Sequence, residues 1–297
     1  MYHFIVNNNS GSGRGFKRWV QIESTLLERE VPYDVRFTQK PNHATQLVRN
    51  IIHDSTNVDA IIIVGGDGTV HEAINGLQNS NVPLGIIPAG SGNDFCRGMG
   101  IPLNCEEALE RILKNEKKLI DVGHINNKVF ATIAGIGFDG KIAAETSRSK
   151  LKKFCNVIKI GSIPYIVAML KVVLSYQPTD VSIRIDSKAS SHENVWLIAV
   201  ANTPFYAGGM KICPEAKNND NLFEVCVVKG VSRWKLLSIF PSVFKGRHIN
   251  HPAIRTYKGK NLIISSNNTM IAHGDGEIVG ETPFDIKILP SSIYVLS

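Results

Sequence analysis

The sequence predicts an α/β domain followed by a β domain, and three observations carry that prediction. From Met1 to Phe95, short apolar segments alternate with stretches of helical periodicity, the pattern of βα units on a parallel sheet. Two of those segments, "AIIIV" and "LGIIP", lack polar alternation, as strands buried on both faces do. After Lys118, short strands follow one another, separated by Gly, Asn, Asp or Ser, which reads as a mostly antiparallel β-sandwich. The fold class is therefore α/β plus β, and the chain of 297 residues is long enough for two cores. The boundary falls near Asp121, giving domains 1–121 and 122–297, with the last strand a candidate to return to the first domain.

In order, "YHFIV" is a short strand, and a helix is expected from about Phe16 to Arg29. "YDVRFT" alternates like a strand and leads to a helix from about His43 to His53. "AIIIV" is followed by "GGDGT", after which Val70, Ala73, Ile74 and Leu77 mark one helical face. "LGIIP" is followed by "AGSGND" and another helical start. Beyond Lys118, "LIDVGHI" and "KVFATIAGIGF" flank the hairpin connection "NNK". The strands "VSIRID", "VWLIAVAN", "LFEVCVVK", "NLIISS", "TMIAHG", "FDIKIL" and "IYVL" follow, with helical interruptions near Ser147–Leu174 and Arg233–Phe244.

Composition narrows the function. The net charge of +7 favours acidic partners such as nucleotides or an anionic membrane surface. No RNA-binding motif or aromatic–basic alternation occurs, so nucleic acid is not an expected partner. The five cysteines are scattered without a C-x-x-C pair, which predicts reduced thiols, a cytoplasmic location and no structural zinc. The apolar stretch Ile158–Tyr176 is interrupted by Lys159, Pro164 and Lys171, so any membrane contact is expected from outside the bilayer.

The chemistry concentrates in three glycine-rich loops: Asn7–Gly15, Gly65–Thr69 and Ala89–Asp94. Each ends a predicted strand and precedes a helix, so the three should converge at one sheet edge, where helix amides attract anions. Ser10, Ser12, Thr69 and Ser91 add hydroxyls. There is no G-x-x-x-x-G-K-[ST], and Phe16 stands where "GSGRG" would need a third glycine for a dinucleotide fingerprint. Asp67 within the second loop and Asp94 at the equivalent place in the third, with Asp121 at the domain junction, are positioned to hold Mg²⁺ or its waters. An N-cap for Asp94 and a turn role for Asp121 are the structural alternatives.

"GGDGT" with "GSGNDF", the early "NNNSGSG" and the late "DGE" (Asp275–Glu277) together resemble the diacylglycerol kinase catalytic-domain family, over essentially the whole chain. "GGDGT" alone is shared with NAD kinases, whereas "GNDF" at Gly92–Phe95, in order with the others, discriminates. The resemblance implies an NAD kinase/diacylglycerol kinase-like fold and an ATP-dependent lipid kinase with its active site between two domains. ATP would contact Asn7, Asn8, Asn9, Ser10 and Gly11, then Thr38, then Gly66, Asp67, Gly68, Thr69, Val70, His71 and Glu72, and then Ser91. Ser91 replaces the threonine of many relatives and keeps the hydroxyl. Asp67, Asp94 and Asp121 resemble the family's acidic network around water-bound Mg²⁺, and Glu277 aligns with its general base. "PEAKNNDNLFEV" resembles a structural Mg²⁺ loop with ligands from Asp220 and the carbonyls of Lys217 and Leu222. Asn221 replaces the usual glycine there, a change that asparagine's tolerance of left-handed backbone accommodates.

By the same resemblance the substrate is a lipid at a membrane surface, diacylglycerol giving phosphatidic acid, with the protein transiently at the inner membrane and a homodimer as a possible state. The basic runs "SRSKLKKF" (Ser147–Phe154) and "SGSGRGFKRW" (Ser10–Trp19) are candidates for peripheral membrane contact. An NAD kinase-like enzyme and a silent nucleotide- or lipid-binding regulator stay open as alternatives. His248 and His251 lack further ligand types nearby and are assigned a surface or structural role.

Overall fold

The computed structural model describes residues 1–55, 57–148 and 163–297. They form two compact units, one comprising Met1–Ile120 with Ser291–Ser297 and the other Asp121–Pro290.

The first unit is a parallel sheet covered by helices. Its strands are β1 (Tyr2–Val6), β2 (Tyr33–Phe37), β3 (Ala60–Gly65) and β4 (Leu84–Pro88). Strand β1 lies between β2 and β3, and β4 adds to β3, so the order is β4-β3-β1-β2. The chain end, through Val295 opposite Leu84, extends this sheet beyond β4 in parallel. Ile61–Val64 and Leu84–Ile87 are wholly buried, consistent with their unbroken apolar sequence. Helices α1 (Arg14–Glu28), α2 (His43–Asp54), α3 (Asp67–Gly76), α4 (Asp94–Met99) and α5 (Cys105–Lys114) follow the loops. Helix α1 buries Trp19, Ile22 and Leu26 at three- and four-residue spacing, and Trp19 packs on Phe4 and Tyr33. Helix α5 is capped by the Asn104 side chain, which accepts from the amides of Glu106 and Glu107. The direction of strand-to-strand travel reverses around β1, the place where open α/β sheets bind ligands.

The second unit is antiparallel. Strands β5 (Lys117–Ile125) and β6 (Lys128–Phe130) form the hairpin read from "NNK", with Ile125 opposite Lys128. Strand β7 is Ile133–Gly137, and β8 (Thr179–Ile185) pairs with the first half of β9 (Lys188–Ala201). The second half of β9 runs between β7 and β10 (Phe223–Lys229), and β11 (Ile254–Gly259) adds to β10. Strand β12 (Asn261–Ser266) joins β8 to the start of β15 (Phe284–Leu296), while β13 (Ile271–Gly274) joins β7 to β14 (Glu277–Glu281). One buried cluster is built on Phe130, Val200, Phe223 and Phe284. A second lies under α6 (Phe138–Arg148), α7 (Ile163–Ser175), α8 (Arg233–Ile239) and the 3-10 turn Phe240–Lys245, where Phe138, Tyr176 and Trp196 pack edge and face.

The sequence reading differs in several places, and it did not anticipate helix α5 or strand β11. "KVFATIAGIGF" is two strands, because the amides of Ala131, Thr132 and Ile133 turn away to the Asp275 carboxylate. "FDIKIL" and "IYVL" are one strand, β15. Strand β14 carries no alternating apolar signal and was not expected. Helix α6 starts at Phe138, immediately after β7 and well before the expected Ser147, and the middle of that helical interruption lies outside the described residues. Among the described residues no helix is long and apolar enough to cross a membrane. Cys96, Cys105, Cys213 and Cys226 are free and buried, and burial pushes the Cys226 thiol up to about 12.

A narrow cavity of about 50 Å³ lies within the second unit. Its walls include Phe138, Ile142, Met169, Val173, Leu236 and Phe240, and its few polar side chains include Asp139 and His248. His248 is 1% exposed; its Nε2 lies 2.9 Å from the Ile212 carbonyl, and its Nδ1 has no partner. It is a structural histidine, as expected. Burial holds its pKa below the ordinary 6.5. A depressed histidine contributes stability above its unfolded value that is lost as pH falls through the folded value. The melting temperature should therefore drop as pH falls below about 6.5, and His248→Gln should flatten that drop. An unchanged slope in the variant would remove His248 as its source.

Candidate active site

The three glycine-rich loops of the first unit converge. The Asn7 side chain donates to Thr69 Oγ1 at 2.9 Å, tying the first loop to the start of α3. The second and third loops touch backbone to backbone: a Cβ on Gly66 would sit 2.7 Å from Gly90 Cα, and one on Gly90 2.5 Å from Gly66 Cα. Gly11 has φ of 56°, and a Cβ there would lie 2.2 Å from the Ala89 carbonyl oxygen. Only glycine permits that approach. Arg14 crosses the loops, donating from Nε to the Gly11 carbonyl and from Nη2 to the Gly90 carbonyl (2.8 Å) and Ser91 Oγ (3.3 Å).

This cradle leaves room for an anion. A Cβ added at Gly68 would meet nothing within 4 Å, so the first turn of α3 is open. No side chain caps α1 or α3. Asn8 Oδ1 is buried without a partner among the described residues. Thr38 follows β2 and is held by its amide on the Val6 carbonyl. The residues therefore fit a phosphate chain.

The carboxylate in this cradle has its own support. Asp67 Oδ1 accepts from the Phe95 amide at 3.0 Å, which places it against the first turn of α4 beside buried Asp94. A helix N-terminus stabilises negative charge, which is how a carboxylate is tolerated among these glycine-rich loops. Cys96 registers both acids: burial first, then Asp67, raise its thiol pKa, and Asp94 adds to the rise. Val70 and His71 are buried in α3. The Glu72 carboxylate accepts from the amides of Asn42 (2.9 Å) and Ala44 (3.0 Å), so it caps the start of α2.

In the second unit, Asp121 is buried and braces the 217–222 loop. Its Oδ2 accepts from the Asn221 amide at 2.8 Å, and its own amide donates to the Asn218 carbonyl at 2.7 Å. Asn221 adopts φ of 59°, and Asp220 Oδ1 accepts from the Leu222 amide. Lys217 opens this loop. Among the described residues no three His, Cys, Asp or Glu side chains are grouped to hold a metal directly.

Glu277 is exposed at the start of β14, just after a two-residue turn. Asp275 and Gly276 have φ of 51° and 90°, the pair of positive values that a type I′ hairpin needs. The Asp275 carboxylate anchors this turn, accepting from the amides of Ala131 (2.8 Å), Thr132 (2.9 Å) and Ile133 (3.1 Å) and from the Thr132 hydroxyl. His273 Nδ1 accepts from the Gly276 amide at 3.1 Å, and its Nε2 meets Asp139 Oδ2 at 3.0 Å, both side chains buried. Sequence reasoning missed Arg14, Asp139, Asp275 and His273 as supports. The available signal for Asp275 was its place in an Asp-Gly hairpin turn.

One unit is thus a parallel α/β sheet with three converging glycine-rich loops, and the other is an antiparallel unit with a tightly anchored Asp-Gly turn. The comparisons agree. Residues 1–125 match the diacylglycerol kinase catalytic domain, and residues 132–297 match the YegS C-terminal NAD kinase beta sandwich-like domain. A diacylglycerol kinase of Mycobacterium tuberculosis (strain ATCC 25618 / H37Rv) is 31% identical over 298 residues, covering 98% of this chain and 93% of that one. A diacylglycerol kinase of Staphylococcus carnosus (strain TM300) is 30% identical over 294 residues, covering 98% and 93%. A crystal structure of a diacylglycerol kinase from Bacillus anthracis str. Sterne superposes with a TM-score of 0.74 at 25% identity, covering 99% and 96%. The chain belongs to the diacylglycerol kinase family of lipid kinases, and it is a kinase.

Replacing Asp275 by alanine strands three backbone amides, each of which costs on the order of 1–3 kcal/mol when buried unpaired. Asp275→Ala should lower unfolding free energy by about 3 kcal/mol in a denaturant titration. A loss below about 0.5 kcal/mol would mean that the carboxylate does not hold the turn.

Proposed function

We propose that the protein is an ATP- and Mg²⁺-dependent lipid kinase that transfers the γ-phosphate to a lipid hydroxyl, with diacylglycerol giving phosphatidic acid as the favoured reaction. The observation that carries the choice of lipid is the cavity of the second unit, whose walls are hydrocarbon apart from a few polar groups. Such walls suit an acyl chain and offer little to the sugars and phosphates of NAD.

In this reading Asn7–Gly11, Gly66–Thr69 and Ser91 bind the nucleotide phosphates through amides and hydroxyls, and Arg14 keeps their loops in register. Thr38 stands beside them at the end of β2. Asp67 and Asp94 present carboxylates suited to a hydrated Mg²⁺, and Asp121 is the third acid proposed for that role by the family resemblance. The 217–222 loop, through Lys217, Asp220 and Leu222, is suited to a structural Mg²⁺. Bound ATP with its metal supplies the phosphoryl group and neutralises its charge. Glu277 accepts the proton of the lipid hydroxyl as that oxygen bonds to the γ-phosphorus and the bond to the bridging oxygen breaks, releasing ADP, a general-base role worth about 10²–10⁴-fold. Its exposure leaves the carboxylate accessible, while Asp275 and His273 hold the turn that carries it.

The test compares phosphate transfer from radiolabelled ATP to diacylglycerol vesicles and to NAD. Lipid labelling that needs Mg²⁺ is expected, with none on NAD; labelling of NAD instead would overturn the assignment. Glu277→Gln should retain ATP affinity and lose at least roughly a hundredfold in kcat. A variant with near-normal kcat would remove Glu277 as the base.

A further inference from the structure

The second unit has five exposed large apolar side chains among its described residues, and four of them sit on neighbouring elements. Leu170 and Leu174 on α7 are 46% and 64% exposed, Trp234 on α8 is 73% exposed, and Phe244 in the 3-10 turn is 50% exposed. The elements are joined. Arg233 donates to the carbonyls of Val173 (3.1 Å) and Tyr176 (3.2 Å), which fixes the start of α8 to the end of α7. The Phe244 ring meets Phe240 edge-on at 5.9 Å. The inner sides of the same elements line the cavity through Met169, Val173, Leu236 and Phe240.

The charge pattern of this face has one sign. Lys171, Lys235, Lys245 and Arg247 are exposed on or next to these elements. From Val225 to Gly274 the sequence contains no aspartate or glutamate. An exposed tryptophan with leucine and phenylalanine, bordered by lysine and arginine, matches the interface between headgroups and acyl chains. A second copy of the chain is a poor occupant, because a two-fold contact would bring this basic face against itself. Of the two basic runs read from sequence, most of Ser147–Phe154 (149–154) lies outside the described residues, and in Ser10–Trp19 the Arg14 guanidinium is engaged by the loops.

We infer that the outward face of α7, α8 and Phe240–Lys245 docks the protein on an anionic lipid bilayer, with Trp234, Leu174 and Phe244 entering the interface and the basic residues meeting headgroups. Its use, bringing a bilayer substrate to the cavity those elements line, rests on the lipid-kinase reading. Docking itself is measured without nucleotide, so the two can fail separately.

The protein contains its own reporter. Trp19 and Trp196 are 2% and 1% exposed, so the solvent-facing tryptophan is Trp234. Mixing the full chain with phosphatidylglycerol–phosphatidylcholine vesicles should shift its emission to the blue and sediment it, and added salt should weaken both effects. Phosphatidylcholine vesicles should do neither. Trp234→Ala with Phe244→Ala, and separately Lys235→Glu with Lys245→Glu, should each weaken partitioning at least roughly tenfold. Because these side chains are exposed, the melting temperatures should stay within a degree or two. The inference is overturned by equal binding to both vesicle types or by anionic binding without a blue shift. It is equally overturned by variants that bind normally, or by a concentration-dependent dimer that the variants abolish.

Discussion

The close approach of Gly66 and Gly90 is the constraint on which the first unit depends. Two loops that follow adjacent parallel strands can meet Cα to Cα only where neither carries a side chain. Their contact brings the starts of α3 and α4 side by side. Arg14 and Asn7 lock the loop after β1 into the same arrangement through carbonyl and hydroxyl bonds. The Asp67 carboxylate completes it by reaching the first turn of α4. A loop cluster assembled this way has its shape before any ligand arrives, so little ordering cost remains for binding.

The second unit solves a different problem, holding still the turn that precedes Glu277. Glu277 follows a tight turn that would move freely were it anchored only by its own hairpin. Asp275 ties it to the break between β6 and β7, and the buried His273–Asp139 pair ties it to the start of α6. Asp139 also lines the cavity, so one carboxylate links the cavity wall to the turn. The same helices that close the cavity present apolar and basic side chains to solvent. Cavity, turn and proposed docking face are thus parts of one packed layer.

Much of this was legible in the sequence because it rests on local rules. Continuous apolar runs marked β3 and β4, glycine-rich loops marked the ligand edge of the parallel sheet, and "NNK" marked the β5–β6 hairpin. What was not legible came from contacts distant in sequence. The break between β6 and β7 depends on Asp275, about 140 residues away, and no local pattern announces it. Glu72 follows "GGDGT" and reads as part of the nucleotide segment, yet its carboxylate faces the amides of α2. Arg14 looked like a membrane-facing charge because nothing in "GSGRG" shows that Gly90 lies beside it.

The proposed reaction needs a lipid hydroxyl as acceptor and the Glu277 carboxylate as base. The most direct measurement is incubation of the protein with ATP, Mg²⁺ and a total lipid extract, followed by mass spectrometry of the lipids. A lipid class heavier by one phosphate, formed by the wild-type chain and absent with Glu277→Gln, is the predicted result. ATP binding with no phosphorylated lipid of any class would contradict the account.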